Sequence, residues 1–418
     1  MREMKDSGIP WVGGIPKNWE IMPNKYLMHK VKKICPVYNG ENILSLTIQG
    51  VIIRDFDLGG KMPATFDGYQ IIYPGNLLMC LFDYDVTPRC IGLIKDKGLT
   101  SPAYSQFVMN QGADARYYYY YYLLLDFTKE LLHLAKNLRH SFTEEQLGKI
   151  KVPVPPIEAQ QRIADFLDAK CARIDSIRKN VEAEIEALKQ YKNSVITEAV
   201  TKGLDKNVEM KDSGIEYVGP IPASWNIHPI YYYFGERKHK NRLGKEENLL
   251  SLSYGHVIEK DINTSEGLLP ENFNTYNIVE AGDIIIRPTD LQNDKRSLRT
   301  GLVTEHGIIT SAYIALLPIR NINTEYYHYL LYAFDVMKVF YNMGNGVRQG
   351  LNFSAFSRLI VFEPPIQEQI AIVSYLNEKC KQIEKIISKK KAQLSTINAY
   401  KKSFIYEYVT GKKEVPAV

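Results

Sequence analysis

The sequence has few cysteines, and none of them is spaced as disulfide-rich or zinc-binding proteins space theirs. Five cysteines among 418 residues include no Cys-x-x-Cys pair and no cysteine–histidine ligand spacing. We therefore expect free thiols in a reducing compartment. No apolar run approaches the roughly 18 residues of a membrane-spanning helix, and the first residues lack the apolar region of a signal peptide. These absences predict a cytoplasmic protein.

Motifs of catalysis are also missing. Both Pro-Pro pairs are followed by Ile, so neither forms the Asp/Asn-Pro-Pro-Tyr/Phe motif of amino-methyltransferases. No Gly-Lys pair is followed by the hydroxyl residue of an ATP-binding loop, and no His-Glu-x-x-His or other metal-spaced histidine cluster occurs. The sequence therefore predicts no catalytic residue, no metal site and no cofactor bound by this chain.

The chain contains enough apolar residues to form more than one hydrophobic core. Its length of 418 residues exceeds that of a single ordinary domain, and 24% of its residues are charged. The formal net charge of +5 is mildly basic. It permits a polyanionic partner without requiring one.

The chain repeats itself. Residues 4–21 return as residues 210–227 with twelve of 18 positions identical, and all three tryptophans lie in these two segments. Weaker matches continue through the next 130 residues of each half. The repeat predicts a duplicated unit. Because Trp19 and Trp225 recur with it, we expect them to fill the core of each copy, and we expect the segment to serve folding or docking.

Each copy ends in a long stretch that opens with Pro-Pro-Ile-x-x-Gln and continues for about 45 residues without proline or internal glycine. Every seventh residue from Leu167 to Val195 is apolar, which is the period of a coiled coil. Each helix would be roughly 60–70 Å long and would need a partner, and the other copy supplies it. Lys390 interrupts the second stripe. The predicted seam residues are Leu167, Ile174, Ile177, Val181, Leu188, Val195, Leu376, Ile383, Ile386, Ile397 and Phe404.

The region before each long helix has the pattern of an α+β domain. Short β-branched runs broken by Gly, Asn and Pro predict a largely antiparallel sheet, and a Tyr/Leu-rich stretch predicts a helix. We predict mixed domains at residues 1–152 and 209–362 and helical regions at 153–208 and 363–418. If the helices run antiparallel, connections stay short and the two domains are related by a pseudo-two-fold axis.

Two similar, non-identical domains on a long spacer are suited to reading a split DNA site. The predicted helix length corresponds to one to two turns of B-DNA, because half-sites of dimeric readers lie about 34–36 Å apart or at multiples of that spacing. Divergence between the two domains would make the site asymmetric.

These features together resemble the specificity subunit of type I restriction–modification systems. The resemblance rests on the repeated Lys-Asp-Ser-Gly-Ile…Ile-Pro…Trp segment, on Pro-Pro-Ile-x-x-Gln, and on the alternation of domain and helix. It implies that each mixed domain is a target-recognition domain for double-stranded DNA. It also implies two methyltransferase and two restriction/translocase subunits as partners, adenine as the methylated base, and S-adenosylmethionine, ATP and Mg²⁺ bound by those partners.

DNA contacts are expected from basic and amide residues on loops near strand ends, because phosphate contacts give affinity and base-edge contacts give discrimination. Arg139 and Arg348 occupy equivalent positions ahead of the helices. The full set of candidates is Arg54, Arg89, Arg116, Arg139, Arg287, Gln292, Asn293, Lys295, Arg296, Arg299, Asn345, Arg348 and Gln349. The basic run at residues 237–242 also suits phosphate contact, although such runs are usually exposed loops.

The tyrosines at 117–122 could stack on bases, but a half-buried helix start is the simpler interpretation.

Two other functions stay open at this point. The chain could be a single-chain nuclease or methyltransferase, which would require a catalytic motif that the sequence does not show. It could also be a coiled-coil adaptor that binds only protein, which the duplicated mixed domains disfavour.

Overall fold

The chain folds into two compact units, one formed by Met1–Glu182 with Ala392–Val418 and the other by Ala183–Lys391. The computed structural model describes residues 2–57, 63–135, 140–216, 218–263, 270, 272–289, 291, 297–341, 343 and 350–416. Each unit combines one mixed domain with parts of both long helices.

Short strands build the mixed part of each unit. Those of the first unit are β1 (Met4–Asp6), β2 (Gly14–Pro16), β3 (Glu20–Pro23), β4 (Met28–Val31), β5 (Leu44–Thr47), β6 (Gly50–Ile53), β7 (Gln70–Ile72), β8 (Leu77–Met79), β9 (Ile91–Leu93), β10 (Gly98–Thr100), β11 (Ser105–Met109) and β12 (Lys151–Val154). Those of the second are β13 (Met210–Asp212), β14 (Pro220–Pro222), β15 (Asn226–Pro229), β16 (Phe234–Glu236), β17 (Leu250–Ser253), β18 (His256–Glu259), β19 (Asn277–Val279), β20 (Ile284–Ile286), β21 (Thr300–Leu302), β22 (Gly307–Ile309), β23 (Ile314–Pro318) and β24 (Ile360–Glu363).

The helices fall into two classes by length. They are α1 (Ala115–Thr128), α2 (Glu144–Lys149), α3 (Ile157–Lys202), α4 (Thr324–Val336), α5 (Phe353–Phe356) and α6 (Ile366–Val409). The long ones, α3 and α6, contain 46 and 44 residues and start directly after the Pro-Pro pairs. Both stop before glycines in the left-handed region, Gly203 (φ +73°) and Gly411 (φ +71°), a conformation that L side chains adopt only under strain.

The two units share one sheet topology. A four-stranded antiparallel sheet, with order β4-β11-β8-β9 in the first unit and β16-β23-β20-β21 in the second, forms the centre. Antiparallel pairs surround it, including the hairpins β5–β6 and β17–β18. The predicted α+β class with a largely antiparallel sheet is therefore confirmed, and the duplication seen in the sequence is a duplication of topology.

The repeated tryptophan segment packs under the end of a long helix. Trp19 is fully buried, and a Cβ added to Gly411 would come within 2.8 Å of its ring. In the second unit, Trp225 is fully buried beside Gly203, and its indole N–H donates to Glu368 Oε2 at 3.0 Å. The recurrence of this segment thus reflects a structural requirement that both units share.

The tyrosine run of α1 is buried rather than displayed. Asp114 caps the helix by accepting from the backbone N–H groups of Arg116 and Tyr117. Five of the six tyrosines are buried, and the hydroxyl of Tyr117 donates to the Val409 carbonyl at 2.7 Å. These side chains form core, so they do not offer bases a stacking surface.

Within the first unit, α3 and α6 run antiparallel. The ring of Phe166 lies 4.8 Å from that of Tyr408, and Asp175 forms an ion pair of 2.7 Å with Lys401. As the residue number rises along α3, the number of its partner on α6 falls.

The same direction holds in the second unit. Glu184 pairs with Lys390 at 2.6 Å, and Lys192 pairs with Glu384. Lys390 is therefore accommodated on the seam by a carboxylate of the facing helix.

The seam differs from the predicted one in its second row. Ile177 and Ile386 are each 44% exposed, so neither is a seam residue in this structure. The second row of α3 lies four residues after the first and contains the buried Cys171, Ile185 and Ala199. Arg178 and Lys192 interrupt this row with carboxylate partners, so its apolar period is hidden in the sequence. The other predicted seam residues are buried or partly buried: Leu167, Ile174, Val181, Leu188, Val195, Leu376, Ile383, Ile397 and Phe404.

Candidate DNA interface

The glutamine of Pro-Pro-Ile-x-x-Gln fixes the start of each long helix to its mixed domain. Gln160 is buried; its Nε2 donates to the carbonyls of Pro155 (2.8 Å) and Gly112 (3.1 Å), and its Oε1 accepts from the backbone N–H of Asp114 (2.8 Å). Gln369 repeats the pattern with Pro364 and Asn323. This motif thus joins α3 to α1, and α6 to α4, at their N-termini.

Arg116 joins the same two elements by charge. Its guanidinium donates to Asp165 at 2.6 Å and to Asp168 at 3.1 Å on α3, and lies 3.7 Å from Asp114. The hydrogen bond to Asp165 and the neighbouring carboxylates raise the pKa of Arg116. With its charge engaged by three carboxylates, Arg116 orients the mixed domain on α3, and we leave it out of the DNA-contact set.

Arg89 neutralises a buried carboxylate. Its side chain is 12% exposed and lies 3.6 Å from Asp126, and its guanidinium covers the Phe127 ring at 5.1 Å. Lys129 donates to the same carboxylate at 2.7 Å. Burying a carboxylate without such partners would be costly, so we assign Arg89 to the stability of the first unit.

In the second unit, Arg299 lies beside Asp335, the counterpart of Asp126. Arg299 is fully buried; its Nε donates to the Tyr341 hydroxyl at 3.2 Å, and another guanidinium nitrogen donates to the Thr289 carbonyl. Its backbone N–H donates to Asp335, whose pKa is raised by burial. Arg299 is therefore an internal residue, and its side chain is not exposed for contact with DNA.

Arg54 and Arg287 are the predicted arginines that lie at strand ends. Arg54 follows β6 and is half-buried, with its backbone N–H donating to the Ile43 carbonyl at 2.7 Å. Arg287 follows β20, is half-buried, and donates its backbone N–H to the Arg299 carbonyl at 2.8 Å. Both remain candidates for DNA contact.

The remaining candidates lie outside the described residues. They are Arg139, Gln292, Asn293, Lys295, Arg296, Asn345, Arg348 and Gln349. Their expected role in DNA contact stays a prediction.

A cleft recurs in each unit. It lies between a β-hairpin (β5–β6 or β17–β18), one helix of the mixed domain (α1 or α4) and the two long helices. The residues at equivalent positions are Tyr120, Asp168, Cys171 and Lys401 in the first unit and Tyr329, Asn377, Cys380 and Lys192 in the second. Burial raises the pKa of Cys171 to about 11 and lowers that of His328, in the second cleft, to about 4. In the second cleft burial also raises the pKa of the Cys380 thiol. At neutral pH this thiol is therefore protonated and the His328 imidazole is uncharged, so the two form no thiolate–imidazolium pair.

Among the described residues, no group of three or more His, Cys, Asp or Glu side chains is placed to hold a metal ion. None of the described helices combines the length and the hydrophobicity that crossing a membrane requires.

Comparisons with known proteins agree on one family. Residues 93–187 match the type I restriction modification DNA specificity domain. Two proteins of Methanocaldococcus jannaschii, named as type I restriction enzyme specificity subunits MjaX and MjaVIII, are 25% and 22% identical over 281 residues. The alignments cover 66% and 64% of this chain but only 62% and 63% of those proteins, so less than two thirds of either relative is matched.

A solved structure supports the fold. A chain from a type I restriction–modification system, solved to explain complex assembly and conformational transition, superposes with a TM-score of 0.69 at 13% identity, over 96% of this chain and 99% of that one. Residues 93–187 thus match the type I restriction modification DNA specificity domain, and the predicted resemblance of this chain to the specificity subunits of type I restriction–modification systems is confirmed.

Proposed function

We propose that this chain is the DNA sequence-specificity subunit of a type I restriction–modification complex and carries no catalytic site of its own. The observation that supports this most is the duplicated plan of mixed domain and long helix, because one copy contains the segment that matches the specificity domain. A protein of this kind would work in the cytoplasm, where the DNA is.

Each mixed domain would read one half of a bipartite, asymmetric site. A domain that reads a few base pairs gains only about 1–3 kcal/mol of discrimination for each good base contact. Two linked domains multiply their preferences, because both half-sites must fit at once. The two domains differ in their strand-end residues, so the half-sites would differ as well. Arg287 follows β20, for example, whereas Cys80 follows the equivalent strand β8.

The long helices would act as the spacer between the half-sites and would dock the partner subunits. We expect two methyltransferase subunits and, in the restriction complex, two restriction/translocase subunits. S-adenosylmethionine, ATP and Mg²⁺ would then be bound by those partners. In this arrangement the partner subunits carry out the chemistry, and this chain recognises the DNA sequence and holds the complex together.

Methylation mapping tests the proposal directly. The chain is expressed with its cognate methyltransferase subunit, and methylated adenines are mapped across the host genome. A split motif with two different halves and a fixed gap is the expected result. Assembly of the complex without any sequence-specific methylation would refute the proposal.

A matched pair of variants makes the test residue-specific. Arg139 and Arg348 occupy equivalent positions in the two copies, and each is replaced by alanine in a separate variant. If each contacts a base, each should relax only one half of the motif, and a different half in each case. Relaxation of both halves by one substitution would contradict the two-reader arrangement.

The alternative functions predict other outcomes. A single-chain enzyme would modify or cleave DNA when the purified chain is given S-adenosylmethionine or Mg²⁺ alone. A protein-only adaptor would show no salt-dependent DNA affinity. Either result would replace the proposal.

A further inference from the structure

A loop of the second unit, residues 238–245, is more basic than its counterpart in the first unit. The loop corresponds to residues 32–39, because Asn241 donates its backbone N–H to the Tyr276 carbonyl (3.0 Å) as Cys35 does to that of Tyr69 (2.7 Å). Three lysines, an arginine and a histidine occur in residues 238–245, whereas residues 32–39 contain two lysines and then Ile34, Pro36 and Val37.

The loop is closed by its own hydrogen bonds. Asn241 is 3% exposed; its Nδ2 donates to the Glu246 carbonyl at 2.9 Å, and its Oδ1 accepts from the Glu246 N–H at 3.2 Å. Gly244 donates to the Asn241 carbonyl at 2.9 Å and adopts a φ of +61°. A loop fixed in this way presents its side chains without a large ordering cost on binding.

Its outward side chains are cationic. Arg242 and Lys245 are exposed on either side of Leu243, which is 77% exposed. Among the described residues, neither Arg242 nor Lys245 forms an ion pair, whereas Lys238 pairs with Glu236 at 2.8 Å. The adjacent carboxylate of Glu246 is held by His306 at 2.7 Å.

A preformed loop with unneutralised positive charge fits a polyanion. Cations that contact DNA phosphates release condensed counterions, and this release supplies most of the sequence-independent affinity. Arg242 and Lys245 are placed to make such contacts, and the equivalent positions of the first unit, Pro36 and Asn39, are uncharged.

We propose that the 238–245 loop is a phosphate-contact site for duplex DNA, and that Arg242 and Lys245 give the second unit two phosphate contacts that the uncharged residues at the same positions of the first unit do not make. This inference rests on the proposed DNA-reading function and extends it.

The test is a salt titration of DNA affinity with the full chain and a fluorescent duplex that contains the mapped site. Each lost phosphate contact should lower the slope of log affinity against log salt by about 0.9, so Arg242→Ala with Lys245→Ala should lower it by about 1.8. Removing two exposed charges elsewhere, Lys5→Ala with Lys17→Ala, is the matched control and should leave the slope unchanged. Arg242→Lys should also preserve it, because a phosphate contact needs only the charge.

The outcomes separate the two ideas. If the unaltered chain shows no salt-dependent affinity, the DNA-reading function fails, and the loop assignment fails with it. If the unaltered chain binds and the double alanine variant keeps its slope, only the loop assignment is overturned, and an acidic protein partner becomes the better occupant. Loss of sequence preference in Arg242→Lys would show base readout instead of phosphate contact and would also overturn it.

Discussion

The buried glutamine at the start of each long helix offers the sharpest test of how the mixed domains are held. Replacing Gln160 with Leu keeps a similar volume but removes three hydrogen bonds, to Pro155, Gly112 and Asp114. The Asp114 N–H loses its acceptor beside the cap of α1. Leaving such a buried donor unsatisfied costs about 1–3 kcal/mol, and the two carbonyls add less because each has a second lone pair.

We therefore expect Gln160→Leu to lower the free energy of unfolding of the first unit by about 3 kcal/mol. With a urea dependence of about 2 kcal/mol/M, the unfolding midpoint would fall by about 1.5 M. Trp11 and Trp19 lie in the first unit and Trp225 lies in the second. Tryptophan fluorescence therefore follows the first unit alone in a Trp225→Phe background, and the second alone in a Trp11→Phe/Trp19→Phe background.

The second copy supplies an internal comparison. Gln369→Leu should shift the transition reported by Trp225, and Glu158→Gln, an exposed residue of the same first turn as Gln160, should change stability by no more than about 0.5 kcal/mol. The reasoning is refuted if Gln160→Leu and Glu158→Gln have the same midpoint.

Three further predictions concern the helices and the charge network. Inserting four residues into α3 alone should shift or abolish the gap of the methylated motif, and an unchanged gap would count against a helical spacer. The Glu280 hydrogen bond, together with that of Glu246, raises the pKa of His306, so its stabilisation is present below the unfolded pKa of about 6.5 and is lost as pH rises through the folded value. Urea unfolding should accordingly find His306→Gln less stable than the parent at pH 6 and equal to it at pH 9. Lys390→Leu should leave stability within about 0.5 kcal/mol or raise it, because its ion pair with Glu184 is partly exposed, and a loss above about 2 kcal/mol would mean that this pair matters more than its exposure suggests.

Local sequence signals predicted the elements that depend on local chemistry. Proline pairs and glycines mark both ends of α3 and α6, and the sequence repeat predicted the shared topology. One apolar row of the seam could be read every seven residues from Leu167. The second row could not, because Arg178 and Lys192 interrupt it and their carboxylate partners include Glu384, almost two hundred positions along the chain.

The arginines show why site residues are harder to predict than elements. Arg89, Arg116 and Arg299 are basic residues near the ends of strands or helices, as expected of DNA contacts, yet each is engaged within the fold by carboxylates or carbonyl groups. Whether an arginine faces solvent or a buried aspartate depends on long-range pairing, such as that of Arg89 with Asp126. The segment at 237–242 was recognisable as basic, but the closure of its loop by Asn241 was not.

The way the first unit is assembled also has a consequence for the order of folding during synthesis. Its core includes the contact of Tyr117 with Val409 and the close approach of Gly411 to Trp19. Residues that leave the ribosome early therefore depend on partners that are synthesised about three hundred to four hundred positions later. The second unit is formed from one continuous stretch, Ala183–Lys391, and all of its partners are available sooner. The usual progression, in which the N-terminal domain matures first, is therefore reversed here. Until residues 392–416 emerge, the newly made first domain exposes an unfinished apolar surface, and this interval is when the chain is most open to aggregation and to chaperone binding.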